Sequence, residues 1–461
     1  METSPLMLLV TGGRMLTMDA ARRELVGWLA VDHDGRIAGL GEGDPPADLT
    51  ADAVLDASGK LIGPGFVSAH SHLFTSGARG LAMDQSLYGW IEAMLGYASA
   101  GTADDVYWFT KHGAYDFLNN GITTAFDFTD SGLAFDRESD GVASYGDGNA
   151  VPDVAYQHAQ LRAKLDAGLR TMHSVMLGQT TDRDAVFGHL DDVTSMSDEL
   201  ARHPAHLGLA ISGTVQWAGA EEYAAVEVAC MHRHGLLNQP HFLETPHEVE
   251  LQRSKFAWYR DAGALGPDLV FGHFIQTTDE IIDEAAAAGC GMVWQPTSNG
   301  RLASGVANIP RCREVGMRVG VGLDDQSCTD ISDPFQNLRF GIYLLRATYK
   351  DPAAMAVADM LELHTRGSAE VLGLGDRVGS LEVGKYADFC VVDPRDPDTG
   401  PVWDPYGTYV LACGLRNLVG VYVGGRLVSD RGRITGAAAA DHAETVSQVH
   451  ERMARIATSA T

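Results

Sequence analysis

Apolar positions along this chain fall into two textures. Up to about residue 62 they come in short runs broken by glycine and aspartate, which predicts several short strands. Val31-Asp32-His33-Asp34-Gly35-Arg36-Ile37-Ala38 carries an Asp-Gly hairpin signal between two such runs. The far end repeats the texture, with strands and glycine turns expected over 384–393 and 421–428. Between about 64 and 375 the rhythm changes. Strand-like runs at 121–128, 207–213, 237–243, 269–275, 291–294 and 319–323 alternate with alanine-rich helical stretches, clearest over 280–288 and 359–372. Such alternation predicts a parallel α/β fold, with a (β/α)8 TIM-like barrel favoured at this size. The expected fold class is therefore α/β: a barrel over 63–375 inserted into a small discontinuous β-sandwich made of 1–62 and 376–461, with an amphipathic helix from about 441 to 460. Residues 129–157, rich in Gly, Asp and Ser, break the rhythm and read as a long loop after the second barrel strand, either a lid or disordered.

Composition narrows the function. With 461 residues, 45% hydrophobic, the chain can fill a large core plus a satellite domain. A formal net charge of −27 sets its surface against nucleic acid and anionic membrane, leaving a small-molecule substrate as the expected partner. The six cysteines show no CxxC spacing, so neither a zinc knuckle nor a disulfide framework is expected. The first 13 residues lack a basic stretch, and their apolar run is too short for a signal peptide or membrane span. A reduced, cytoplasmic protein is the plain expectation.

The chemistry begins at His70-Ser71-His72, which closes the apolar run Leu61-Ile62-Gly63-Pro64-Gly65-Phe66-Val67-Ser68-Ala69. In an extended chain side chains alternate, so His70 and His72 point to one side and can grip one metal ion. Barrel enzymes carry their chemistry at the C-terminal ends of strands. His241 follows Leu236-Leu237-Asn238-Gln239-Pro240, His273 follows Leu269-Val270-Phe271-Gly272, and Asp324 ends Val319-Gly320-Val321-Gly322-Leu323. Imidazoles and a carboxylate suit Zn²⁺ or a similar divalent ion with one position open for water. Water on such an ion ionises near pH 7, against ~15.7 when free. Glu244, three residues after His241, is the natural proton shuttle. A single buried histidine is more often a satisfied core residue, so the joint placement carries the assignment. The remaining histidines keep that core or surface role, with His173 on an apparent third strand the one exception. Asp325 is an alternative ligand or a helix cap.

With these residues the chain resembles the amidohydrolase superfamily, in particular its cytosine deaminase, S-adenosylhomocysteine deaminase and triazine hydrolase branch. The matched residues are Pro64-Gly65-Phe66-Val67 leading to His70-x-His72, Arg79-Gly80, His241-Phe242-Leu243-Glu244-Thr245, Gly272-His273, Pro296-Thr297-Ser298-Asn299, Gly322-Leu323-Asp324 and Gly379-Ser380-Leu381-Glu382-Val383-Gly384-Lys385. The resemblance implies that His70, His72, His241 and Asp324 hold one divalent metal, with zinc foremost and Fe, Mn or Co also acceptable. It further implies that Asp324 takes a proton from water, that Glu244 carries protons, and that His273 polarises the substrate or holds the water. No lysine ends the run 171–177, where two-metal relatives carry a bridging lysine, so a single ion is expected. Relatives are commonly homodimers or larger homo-oligomers.

Three positions depart from the branch: Trp294 stands where deaminases usually have histidine, Asp325-Gln326 follow the aspartate, and the 129–157 loop is longer and more acidic. Trp90 and Trp294 offer faces for a flat heterocycle, or else pack under loops. The expected activity is hydrolysis of a non-peptide C–N bond at an sp² carbon. Either an aminohydrolase of a purine, pyrimidine or triazine, or a hydrolase of a urea, carbamate or thiocarbamate fits; the departures lean away from standard nucleobases. A non-catalytic binding barrel is a remote alternative, since Glu244 and Asp324 are both kept. No GxGxxG lies between a strand and a helix, which sets a dinucleotide site aside.

Overall fold

The computed structural model describes residues 6–98, 101–133, 135–137, 143–145, 151–178 and 180–459. Eight strand positions form a barrel. In chain order they are Phe66–His72, Ile122–Phe128, Arg170–Met176, His206–Ser212, Leu237–Asn238 with His241–Phe242, Val270–His273, Gly291–Trp294, and Arg318–Val321 with Asp324–Asp325. The fifth and eighth are each split in two. One half of each belongs to a six-stranded sheet and the other half to a four-stranded sheet, so together they close the ring. At the closing seam Asp324 pairs with Ser71 and Asp325 with His72, in parallel register. The first two strands are buried along their whole length, as strands covered on both faces must be, which is why they read as near-continuous apolar runs.

The two breaks have local causes. Pro240 has no N–H to give the ladder, although its carbonyl still accepts the Gly272 N–H at 2.8 Å. At Gly322 a Cβ would come within 2.6 Å of His70 Cβ and 2.7 Å of its carbonyl oxygen, so only glycine lets the eighth strand pass beside the first. Aspartates and threonines at loop ends then start the helices. Asp153 caps Val154–Ala167, Asp182 caps Arg183–Leu200, and Thr278 caps Asp279–Ala287, each accepting backbone N–H groups that the first turn leaves unpaired.

The chain ends build a nine-stranded sheet. Leu6–Leu16, Glu24–Val31, Ile37–Glu42, Ala51–Asp56 and Leu61–Pro64 come from one end, and Phe389–Val392, Leu418–Val423, Arg426–Asp430 and Arg433–Ile434 from the other. They join where Leu61–Pro64 runs antiparallel to Phe389–Val392, with Cys390 opposite Gly63. The predicted hairpin is present, with Gly35 at φ +73° in its turn. Leu6–Leu16 breaks register between Val10 and Gly13; it pairs with Ala51–Asp56 before the break and with Leu61 and Ile62 after it. Leu8, Val10, Leu29, Ile62, Phe389 and Val391 belong to one buried cluster of this sheet, each contributing roughly 1.5–3 kcal/mol by burial. The barrel strands therefore lie, in chain order, inside a discontinuous β domain.

By compactness the chain divides into two units, Met1–Ser68, Tyr115–Thr124 and Ser332–Asp441 in one, and Ala69–Ala114, Ala125–Ile331 and His442–Thr461 in the other. In the second, the helix Ala438–Ser459 lays Val449, Met453 and Ile456 on Trp108 and Phe109. Arg452 and Arg455 reach the buried Asp105 at 2.7 and 2.5 Å, and despite its burial they hold that carboxyl far below the usual carboxylate range. In the first, the helix expected over 359–372 is not continuous. It runs as Val357–Glu362, a wide π-turn Leu363–Gly367, and Ser368–Val371. The widening follows the buried His364, whose Nδ1 lies 3.1 Å from the Val67 carbonyl and whose Nε2 lies 3.3 Å from Asn337 Nδ2. Within 129–157 the structure describes a short pairing of Phe135–Arg137 with Ala143–Tyr145; residues 134, 138–142 and 146–150 of that expected lid lie outside the described residues.

Candidate metal centre

Alternation along the first strand does what the spacing predicts. His70 and His72 point the same way, with their Nε2 atoms 3.4 Å apart. His241, from the second half of the fifth strand, brings its Nε2 to 3.1 Å from that of His72. Asp324 Oδ1 stands 3.5 Å from His70 Nε2 and 3.6 Å from His72 Nε2. His273 lies beside them, its Nε2 3.5 Å from Glu244 Oε2 and 4.0 Å from Asp324 Oδ2. Residues from the first, fifth, sixth and eighth strands thus meet in one place, all buried. Leu243, His273 and Asp324 take left-handed backbone angles (φ +56°, +66° and +68°) as they leave their strands. Each such turn costs roughly 1–3 kcal/mol and recurs where a side chain must be aimed.

The donor set fits a divalent cation. Nitrogens on a tetrahedral ion at 2.0–2.1 Å stand about 3.4 Å from one another, close to the spacing of these imidazoles. Burial and the neighbouring rings push His72 and His241 well below the ordinary imidazole range, so they present lone pairs. Neutral lone pairs aimed at one another repel, and a cation between them removes the conflict. The tautomer of His70 is set from behind. Gln239 gives its amide N–H to the Ala69 carbonyl at 3.0 Å, which turns its Oε1 toward His70 Nδ1 at 2.7 Å. The ring proton therefore sits on Nδ1 and frees Nε2. Replacing this partner by Gln239→Leu is expected to weaken metal affinity about 10–100-fold with little change in fold, as read by chelator competition. Unchanged affinity would reduce Gln239 to a packing residue.

The proton-carrying groups differ in state. Burial works to raise Asp324, but His70 and the surrounding rings outweigh it and hold the carboxyl well below its usual range. Burial, reinforced by the Asp324 charge, pushes Glu244 well above its own. His273 is pushed down to about 3, mainly by burial, and is neutral. Asn299 Nδ2 donates to its Nδ1 at 2.9 Å, which leaves the proton on Nε2, facing Glu244. A carboxyl held low, a carboxyl pushed high and one N–H donor thus surround the same point, the separation of proton affinities that acid–base work requires. Asp325 pairs with the first strand rather than capping a helix. Its Oδ2 is 3.6 Å from His72 Nε2 and its Oδ1 has no partner among the described residues.

A cavity opens over these residues. Phe74, Leu87, Ile91, Met176 and Trp217 supply apolar wall, and Trp90 lines it with its N–H given to the Ser327 carbonyl at 3.2 Å. The ring of Phe128 covers these imidazoles, stacked on His72 at 4.7 Å and tilted on His70 at 4.4 Å. Trp294 is fully buried in the seventh strand and is not among the described residues lining the cavity. His173 faces a different polar cluster. Lys164, wholly buried, reaches Asp127 at 2.7 Å and His173 Nδ1 at 2.9 Å, while Asp127 accepts the Leu73 N–H just after His72. Lys164→Met leaves Asp127 buried and unpaired. A loss of roughly 3–5 kcal/mol is expected in denaturant unfolding, and a loss under about 1 kcal/mol would show that the pair carries no such weight.

Residue-by-residue reading passed over several of these groups. Gln239 had a detectable signal, since it lies two residues before His241 on the same side of an extended chain. Asn299 belonged to the Pro-Thr-Ser-Asn motif without an assigned task. Trp217, Phe128 and Asp130 had no signal beyond following or ending a strand.

Known proteins share this arrangement of chain and fold. A 5-methylthioadenosine/S-adenosylhomocysteine deaminase of Syntrophobacter fumaroxidans is 30% identical over 438 residues, 93% of this chain and 94% of that protein. A 5'-deoxyadenosine deaminase of Methanosarcina acetivorans is 26% identical over 93% of this chain and 94% of its own length. Among solved structures, a zinc-bound adenosine deaminase from Xanthomonas campestris superimposes with a TM-score of 0.83 at 21% identity, covering 98% of this chain and 99% of that one. A mutant atrazine chlorohydrolase from Arthrobacter aurescens, complexed with zinc and atraton, does so at 0.82 with 20% identity, covering 96% and 100%. The sequence profile of the amidohydrolase family matches residues 61–428, from the strand before the first metal-facing histidines to the return into the β domain. This chain belongs to the amidohydrolase family.

Proposed function

We propose that this hydrolase of non-peptide C–N bonds is an aminohydrolase that removes an exocyclic amine from a small N-heteroaromatic ring as ammonia. One observation carries the reading: His70, His72, His241 and Asp324 converge beside Glu244 and His273, under an aromatic-walled cavity. The deaminase names of the relatives support it. One ion per chain, zinc foremost, is held by His70, His72, His241 and Asp324; when bound it supplies Lewis acidity and makes water acidic enough to ionise near neutral pH.

The residues divide the remaining work. Asp324, ionised, accepts the proton of the attacking water. Glu244 delivers a proton to the heterocycle and then to the departing nitrogen. His273 gives its Nε2–H to the oxygen arriving at the attacked carbon. An O–C bond forms and the C–N bond breaks: Glu244, having given its proton to a ring nitrogen, takes the hydroxyl proton of the adduct and passes it to the departing nitrogen, ammonia leaves, and the proton held on Asp324 returns to Glu244. Trp90 and Trp217 present faces on which a flat ring stacks. Six buried free thiols accord with a reducing cytoplasm, and a homodimer or larger homo-oligomer completes the reading; sizing of the purified chain checks the last point.

The deciding experiment measures ammonia release from amino-purines, amino-pyrimidines, amino-triazines and substituted ureas by the metal-replete protein. Turnover of at least one aminated heterocycle is expected. Turnover of ureas or amides alone would overturn the aminohydrolase reading in favour of an amide-bond hydrolase.

A further inference from the structure

The mechanism above uses two carboxyl groups of the cavity and leaves others idle. Asp130 is the clearest. It follows the second barrel strand, lines the cavity and is 6% exposed. Its Oδ1 accepts the Gly132 N–H at 3.1 Å, while Oδ2 has no partner among the described residues. A buried carboxylate oxygen left open in this way is costly unless something fills it.

The surroundings hold that oxygen in place. Gln160 clasps the Asp130 peptide, its Oε1 accepting the backbone N–H at 2.8 Å and its Nε2 donating to the carbonyl at 2.9 Å. Gln157, one turn earlier on the same helix, lies 2.8 Å from Thr129 Oγ1 and 3.1 Å from His173 Nε2. Both glutamines are buried on Val154–Ala167, so Asp130 stands on a helix-backed support and not on a loose loop. The side chain also borders a smaller pocket walled by Ala78, Val106 and Phe109, none of which touches the metal-facing residues' cavity.

Four carboxyl groups, Asp130, Glu244, Asp324 and Asp325, line the cavity, and no Arg or Lys does so among the described residues. An anionic group placed against Asp130 meets a carboxyl group and no cationic side chain, and it loses its hydration as well. A hydroxyl or ammonium, by contrast, supplies the donor that Oδ2 lacks.

From this geometry we infer that Asp130 is a specificity-determining residue, which binds a hydrogen-bond donor on a neutral or cationic substituent of the substrate and excludes substrates bearing a carboxylate or phosphate there. The inference rests on the aminohydrolase reading for the ring that carries the substituent, and it adds the class of substituent.

Two scaffolds test it, 9-alkyl adenines and N-alkyl diaminotriazines, each with hydroxyethyl, aminoethyl and carboxymethyl tails. Binding to the metal-replete protein is followed by quenching of tryptophan fluorescence, and ammonia release is scored separately. On at least one scaffold the hydroxyl and amine compounds are expected to bind ten-fold or more tighter than the carboxylate. In Asp130→Asn that ratio is expected to shrink below three-fold. The inference is overturned if the carboxylate binds within three-fold of the hydroxyl compound, if Asp130→Asn keeps the wild-type ratio, or if neither scaffold binds. The wild-type ratio decides alone should the variant not fold. Charge preference without ammonia from any compound overturns the aminohydrolase reading only, whereas ammonia without charge preference overturns the role of Asp130 only.

Discussion

Glu244→Gln lowers turnover by a factor of about 10²–10⁴ while metal content stays near that of the parent protein. The substitution keeps the volume of the side chain in its buried place, so packing around it is preserved. What it removes is an exchangeable proton on a carboxyl whose proton affinity burial and the Asp324 charge raise. An amide can hydrogen-bond to His273 but cannot release a proton and take it back. The same assignment sets the pH dependence. Because the working form of Glu244 is protonated and its pKa is raised, activity is retained below that raised value and falls as pH climbs through it. The variant is expected to lose this alkaline limb along with most of its rate. Metal analysis and a pH–rate profile on the two proteins are the measurements; loss of the metal together with the rate would make Glu244 a ligand and remove it from proton transfer.

His70→Ala acts earlier in the chain of causes. It deletes one of the converging nitrogens and leaves the Gln239 Oε1 without the N–H it faces at 2.7 Å. Metal affinity is expected to fall by more than the roughly 10–100-fold assigned to loss of an outer partner, and activity with it. Elemental analysis after dialysis reads the occupancy, and a thermal melt in chelator reads the fold independently of the ion. Full metal and full activity in the variant would show that the His-x-His pair is not the metal grip. The two substitutions are expected to part cleanly, one sparing the ion and losing the chemistry, the other losing the ion first.

Much of this centre could be read from residues in order, because its signals are local. Alternation in an extended strand puts His70 and His72 on one side whatever surrounds them. An apolar run that ends in His241, His273 or Asp324 marks a strand end, and in a barrel all strand ends of one polarity open on one face. Asp-Gly at a turn and glycine beside a crowded strand carry their own steric reasons, as Gly35 and Gly322 do. The direction in which these side chains leave their strands, the barrel and the β-rich ends follow from rules that act within a few residues.

Other features depended on which strands lie side by side. Trp294, marked in sequence as a stacking surface, ends up buried in the seventh strand, whereas Trp217, unmarked, sits with its ring 5.5 Å from that of His241. His173 carries the same imidazole as the metal-facing histidines, yet Lys164 and Gln157 claim it for a separate buried network. The helix over 359–372 opens into a π-turn because a distant carbonyl, that of Val67, meets His364. The pKa values of Glu244 and Asp324 shift in opposite directions although both are buried carboxyls, since one faces a negative charge and the other a set of rings. Residue type and spacing settle which groups exist and which way each leaves its strand; the closing of the ring settles which of them become neighbours, because burial and electrostatic coupling act through space and take no account of distance along the chain.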